Sequence, residues 1–200
     1  MHPDTAPRPR RADAQRNVGA LIEAARTVFA TSGVDAPAKE ITDLAGVGVG
    51  TLYRHFPQRS DLVKAVVESG IDAVADAGPA LSAAHEPAEA LTQWIHRFTE
   101  LLATKRGLAS ALHSGDPAFA ELPGYFLQRL GPTLAALLDA AVAAGTVRDD
   151  ISAEDLLQAL TQLSQPVPGR GPEHNQRIVA VFVDGLRCEA TRQPPAHRLS

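Results

Sequence analysis

The sequence predicts an all-α chain in two parts, a short three-helix head followed by a longer helical body. Three observations carry that expectation. Apolar residues recur at i, i+3, i+4 through segment after segment. The breaks between those segments fall on Gly and Pro, often as a pair, where helices stop or start. No stretch alternates apolar and polar residues long enough to read as a strand, and no segment repeats.

The length of 200 residues leaves ample material for a core. No apolar run reaches the roughly 18 residues of a membrane span, and no signal peptide precedes the basic start, so a cytoplasmic protein without membrane contact is expected. Cys188 is the only cysteine, so no internal disulfide can form. On an apolar helix it reads as packing before it reads as a redox sensor.

Residues 1–12 hold Pro3, Pro7 and Pro9 among Arg8, Arg10 and Arg11, and read as a flexible basic arm through which no helix runs. The first helix is expected from Asp13 to Ser32, with Val18, Leu21, Ile22, Ala25, Val28 and Phe29 in helical period and Gly33 as its stop. Pro37 stands at or near the start of a second helix, where a missing N–H costs little. Ile41, Leu44 and Ala45 give that helix one apolar face. Gly46 then supplies a sharp turn, Val47 an apolar plug, and Gly48 the start of a third helix. Val49 to His55 ends against Pro57, with Leu52 and Phe56 inward and Thr51, Tyr53, Arg54 and His55 outward.

From about Arg59 a longer helix is expected to run to about Ala77. Asp61 lies in its first turn, and Leu62, Val63, Val66, Val67, Ile71 and Val74 form a wide apolar stripe. Gly78-Pro79 and His85-Glu86-Pro87 read as the bounds of a connecting loop. Ala88 to Thr104 carries Leu91, Trp94, Ile95, Phe98, Leu101 and Leu102 on one side. Leu108, Ala111 and Leu112 make a short helix ending at Gly115. Asp116-Pro117 opens another, expected to continue to Ala144 with kinks or a split at Pro123 and Gly131-Pro132. After a loop over 145–150, Ser152 and Asp155 have the spacing of a capping box for a helix over 153–164. A Pro/Gly-rich loop leads to a last helix, Glu173 to Ala190, and residues 191–200 read as a flexible tail.

The outward set of the third helix combines a hydroxyl, a phenol, a guanidinium and an imidazole within five residues. All suit phosphate oxygens or base edges. Two short helices about a tight turn fit a helix-turn-helix, whose second helix enters the DNA major groove, and equally fit a plain helical hairpin. The charge distribution agrees with DNA. Residues 1–64 hold nine Lys/Arg against seven Asp/Glu, and residues 65–200 hold ten against sixteen, a basic head on an acidic body.

Ala45-Gly46-Val47, then Gly50-Thr-Leu-Tyr-Arg-His-Phe-Pro57, then Arg59-Ser-Asp-Leu62 resemble the signature of the tetracycline-repressor (TetR) family. The resemblance covers residues 13–65 and is architectural beyond them. It implies a DNA-binding head over 13–60 and an effector-binding and dimerisation domain over 61–190. It implies a homodimer on double-stranded operator DNA, and a small-molecule effector that weakens the complex, most simply as a repressor. Carried over by position, it puts DNA contacts on Lys39, Val49, Gly50, Thr51, Tyr53, Arg54, His55 and Arg59. Thr51, Tyr53 and Arg59 are assigned to phosphates, Lys39 and Arg54 to bases, and His55 to either. The arm is either a solubilising tail or a strand of charge along the DNA backbone.

Three departures from the family pattern stand out: Pro37-Ala38 where a serine or threonine often starts the second helix, Gly48 for a capping serine, and Gln58 for a small cap. Trp94, Phe98, Leu112, Phe119, Tyr125 and Phe126 are the candidates to line an effector cavity, with Gln93, His96, Arg97 and Arg129 to orient its occupant. Leu156, Leu157, Leu160 and Leu163, with Ile178, Val181, Phe182 and Leu186, exceed what one face of a small domain needs, which fits a four-helix dimer interface. No catalytic motif, cofactor loop or metal motif is present; His96, His113 and Asp116 are the only candidate metal set. The rival reading is a helical small-molecule-binding adaptor or enzyme that no longer binds DNA.

Overall fold

The computed structural model describes residues 8–104, 108–112 and 114–187. The helices are α1 (Arg8–Ser32), α2 (Ala38–Ala45), α3 (Val49–His55), α4 (Arg59–Ala84), α5 (Pro87–Thr104), α6 (Ala109–Leu112), α7 (Leu122–Ala143), α8 (Ala153–Leu163) and α9 (Pro172–Leu186). Among the described residues there is no strand, only an isolated bridge between Val147 and Arg187. The chain divides into two compact units, Met1–Gly70 with Thr104–Tyr125, and Ile71–Ala103 with Phe126–Ser200. The split is not the expected one after residue 60, because the first unit takes in α6 and the start of α7 as well as the head.

The first unit buries Leu21, Ala24, Ala25, Val28 and Phe29 of α1, Ile41, Leu52 and Phe56, and Leu62, Val63, Val66 and Val67 of α4. The second unit buries Ile71, Val74, Leu91, Trp94, Ile95, Phe98, Leu130, Leu134, Leu156, Leu160 and Val183. α4 is continuous through Gly70 and supplies residues to both units.

Several expected ends move. α1 begins at Arg8 rather than Asp13, with Pro9 in its first turn, where N–H groups have no intrahelical partner to lose. The helix expected from Asp116 is split: a single 3₁₀ turn spans Pro117–Phe119, capped by Asp116 Oδ1 accepting from the Ala118 N–H, and α7 starts afresh at Leu122. Pro123 then falls harmlessly in the first turn of α7, and Pro132 lies within an unbroken helix. The expected cap at Ser152 is present, with the Asp155 carboxylate taking the serine hydroxyl rather than the backbone N–H of a full capping box. Its Oγ accepts from Asp155 N–H at 3.1 Å and donates to Asp155 Oδ2 at 2.6 Å. Asn175, buried, donates to the Leu163 and Gln165 carbonyls at 2.7 Å each, capping the end of α8 from α9.

The largest correction is at Gly78-Pro79, expected as a loop and found inside α4. Pro79 has no N–H to give the carbonyl of Ala75, four residues back, and an interior proline costs about 3 kcal/mol. A donor arrives from elsewhere: Thr133 Oγ1 of α7 donates to Ala75 O at 3.3 Å. Gly78 makes room for it, since a Cβ there would stand 2.2 Å from Thr133 Cγ2. One turn earlier on α7, Arg129 donates to Asp72 at 2.6 Å and to Asp76 at 2.8 Å of α4. These two bonds, that to Asp72 first, hold its pKa above the ordinary arginine value. Thr133→Val keeps the shape and removes the hydroxyl, so it should cost about 1–2 kcal/mol in chemical denaturation. In a Pro79→Ala background the Ala75 carbonyl recovers a helical donor, and Thr133→Val should then cost little. An equal cost in both backgrounds would show that the hydroxyl does not serve Ala75.

Candidate nucleic-acid interface

α2 and α3 form the helix-turn-helix, and the turn is built as the glycine demands. Gly46 has φ +67°, the left-handed region. Its N–H donates to Asp43 O at 3.3 Å, and Val47 N–H donates to Thr42 O at 3.1 Å, the crossed pair of a Schellman turn. α2 presents an inward face different from the expected one. Ile41 is fully buried and Ala45 half-buried, but Leu44 is 57% exposed and Thr42 takes its place at 1%. Thr42 can be buried because its hydroxyl donates to the Lys39 carbonyl one turn back at 3.1 Å.

α3 spans Val49–His55 as expected, with Leu52 and Phe56 buried. Tyr53 and Arg54 are exposed, and Thr51 and His55 half-buried. Both expected departures in capping are visible: neither Pro37 nor Gly48 gives a side-chain cap. The third is offset. Asp61 Oδ2 reaches back to accept from Gln58 N–H at 2.9 Å, so a free donor at the start of α4 is satisfied.

Two expected DNA contacts have partners within the chain. Lys39 Nζ lies 2.7 Å from Asp43 Oδ2 on the exposed face of α2. An exposed i, i+4 pair contributes only roughly 0.3–0.5 kcal/mol, so a phosphate or base can compete for Lys39. Arg59 is committed more deeply. Its Nη1 and Nη2 donate to the carbonyls of Val34 and Ala36, and its guanidinium carbon sits 5.8 Å from the centre of the Phe29 ring. It locks the α1–α2 connection instead of offering an unengaged fork to phosphate, because the planar guanidinium matches two adjacent carbonyls. Arg59→Ala leaves both carbonyls without this donor and is expected to destabilise the fold by about 2–3 kcal/mol. Arg59→Lys should rescue little. If Arg59→Ala melts like the parent, the phosphate role returns.

The six candidate cavity residues do not gather in one unit. Trp94, Phe98 and Phe126 belong to the second, where Trp94 and Phe98 stack at 5.6 Å and 5° and Phe126 tilts against Phe98 at 5.8 Å. Trp94 is fully buried and its indole N–H donates to Val74 O at 2.9 Å, which makes it a core residue tying α5 to α4. Leu112, Phe119 and Tyr125 belong to the first unit, where Phe119 lines a cleft of about 430 Å³ with Arg59 and Val63. Of the orienting groups, Gln93 donates to Glu89 at 2.7 Å and Arg129 is held by Asp72 and Asp76. Among the described residues no three His, Cys, Asp or Glu side chains cluster as a metal site, and no helix is long and apolar enough to cross a membrane. His113 and Cys188 lie outside the described residues, as do residues 1–7 of the arm and the tail over 191–200.

The family profile described as "Bacterial regulatory proteins, tetR family" matches residues 21–66, the stretch that holds this helix-turn-helix. A second, "Transcriptional regulator SbtR-like, C-terminal domain", matches residues 86–188, just over half of the chain. The chain belongs to the TetR family. Among solved structures, a TetR transcriptional regulator of Streptomyces coelicolor is 35% identical with a TM-score of 0.73, covering 86% of this chain and 99% of that one. A TetR regulatory protein of Mycobacterium vanbaalenii is 36% identical with a TM-score of 0.71, covering 90% and 100%. An HTH-type transcriptional regulator of Staphylococcus aureus is 35% identical over 68 residues, 32% of this chain. The chain covers about a third (35%) of the length of that curated relative. As a TetR-family member the protein is a DNA-binding transcriptional regulator.

Proposed function

We propose that this TetR-family protein is a cytoplasmic, ligand-responsive repressor that sits on a palindromic operator as a homodimer and leaves it when a small molecule binds. The observation that carries the reading is the outward face of α3, where Val49, Gly50, Thr51, Tyr53, Arg54 and His55 stand with Lys39 nearby in the same helix-turn-helix. In this reading Thr51 and Tyr53 meet phosphates, Lys39 and Arg54 meet bases, and His55 serves either. Arg59 is left out, being engaged with Val34 and Ala36.

The effector is assigned to the second unit, beside the half-buried Phe126 of the aromatic cluster. The transmitter is α4, which supplies buried side chains to both units, Leu62 and Val63 to one and Ile71 and Val74 to the other. An effector can act only through a difference in affinity between two conformations, typically about 1–3 kcal/mol of coupling.

Selection of bound sequences from random DNA with the purified protein tests the reading. The expected product is an inverted repeat whose half-site centres are about one helical turn apart or a multiple of it. Transcription from a promoter carrying that site should fall when the protein is added. No enriched sequence would leave the adaptor or enzyme reading in its place.

A further inference from the structure

Val49 opens α3 and is 41% exposed, and it is the one purely apolar side chain that this helix leaves in solvent. The other outward groups, Thr51, Tyr53, Arg54 and His55, all carry a polar atom. Next to it, apart from its chain neighbours and the helix's own backbone, nothing stands within 4 Å of where a Cβ of Gly50 would sit, so the backbone beside Val49 is open to close approach. The major-groove edge of a base pair offers donors, acceptors and a single apolar group, the C5 methyl of thymine. A polar edge pressed on Val49 would lose its water and gain no hydrogen bond in return. We propose that Val49 reads a thymine methyl in each operator half-site, with Gly50 allowing the contact by keeping side-chain bulk away from the base pair.

This inference rests on the operator-binding reading of α3 and gives it a base. Burial of one methyl group is worth about a fourfold change in affinity, hence about tenfold or somewhat more over a two-fold-symmetric site. The test uses the full chain and the operator obtained by selection. Each thymine is replaced in turn, in both half-sites, by deoxyuridine, which removes the methyl and leaves every hydrogen-bonding group in place. At one thymine position the parent protein is expected to lose about tenfold. Val49→Ala should bind the thymine operator about as weakly as the parent binds the uracil one, and should not distinguish the two. Val49→Thr keeps the branch and swaps one methyl for a hydroxyl, so it should fall between. Because the side chain is exposed, thermal melting of these variants should match the parent.

A parent protein indifferent to every uracil overturns the proposal. So does a uracil effect that persists in Val49→Ala, since another group then reads the methyl. Absence of binding to any DNA is a different result: it removes the operator reading itself.

Discussion

Raising monovalent salt from about 50 to about 200 mM is expected to weaken operator binding by roughly a thousandfold to ten-thousandfold. The number follows from the cations available. Lys39 and Arg54 stand on the helix-turn-helix, and Arg8, Arg10 and Arg11 belong to the basic start of the chain. If each head brings Lys39, Arg54 and one or two of those arginines against the DNA, a dimer places about six to eight cations in its counterion atmosphere, and with one counterion released for each the log–log slope is about −5 to −7. Arg59 is not in the sum, because its guanidinium serves the Val34 and Ala36 carbonyls. Replacing Arg8, Arg10 and Arg11 by alanine should flatten the slope by about 2 to 4 if these arginines follow the backbone, and leave it unchanged if they only solubilise. Two substitutions separate positioning from reading. Tyr53→Ala should weaken all sequences alike. Arg54→Ala should relax preference at one base pair per half-site, at about 1–3 kcal/mol. A slope near zero would end the operator reading.

What could be read in advance was local. The bounds of α3, the left-handed Gly46 and the Ser152 cap on Asp155 N–H depend on residues within one or two turns, so the sequence carries them openly. What was missed depends on partners far along the chain. Gly78-Pro79 signals a loop in isolation, and it lies within α4, where Thr133, more than fifty residues later, donates to the Ala75 carbonyl that Pro79 leaves without its helical donor. Arg59 matches a phosphate-contact position of the family, and two carbonyls that the α1–α2 connection brings to it already take its guanidinium. Leu44 looks like core on hydropathy alone. Thr42 displaces it because its hydroxyl is satisfied within the helix. The aromatic candidates lie close together in sequence, and the chain divides them between two units at Tyr125 and Phe126.

Val181→Glu is expected to convert a dimer into monomers with the fold intact. α9 is apolar on two sides. Val179, Val183 and Leu186 are buried within the protomer, whereas Ile178 is 40% exposed, Val181 70% exposed and Phe182 partly so. Residues 178, 181, 182 and 185 follow one another at i, i+3, i+4 and i+7, a single stripe down the solvent side with Gly185 as its small member. Leu186, expected in this stripe, is instead core, and the α8 leucines Leu156, Leu157 and Leu160 are likewise buried in their own protomer. The interface is therefore assigned to α9 more than to α8. A two-fold axis would set the stripe against its own copy, so one added carboxylate appears twice and faces itself. Burying such an unpaired charge costs several kcal/mol, enough to shift a dimer constant by a thousandfold or more. In the free protomer the same glutamate stays in water, so the melting of the isolated subunit should not suffer. Sedimentation at micromolar concentration reads the outcome, and operator affinity should fall with it, because one head then holds one half-site. A monomeric parent protein at that concentration, or a Val181→Glu variant that dimerises as tightly as the parent, would place the interface elsewhere.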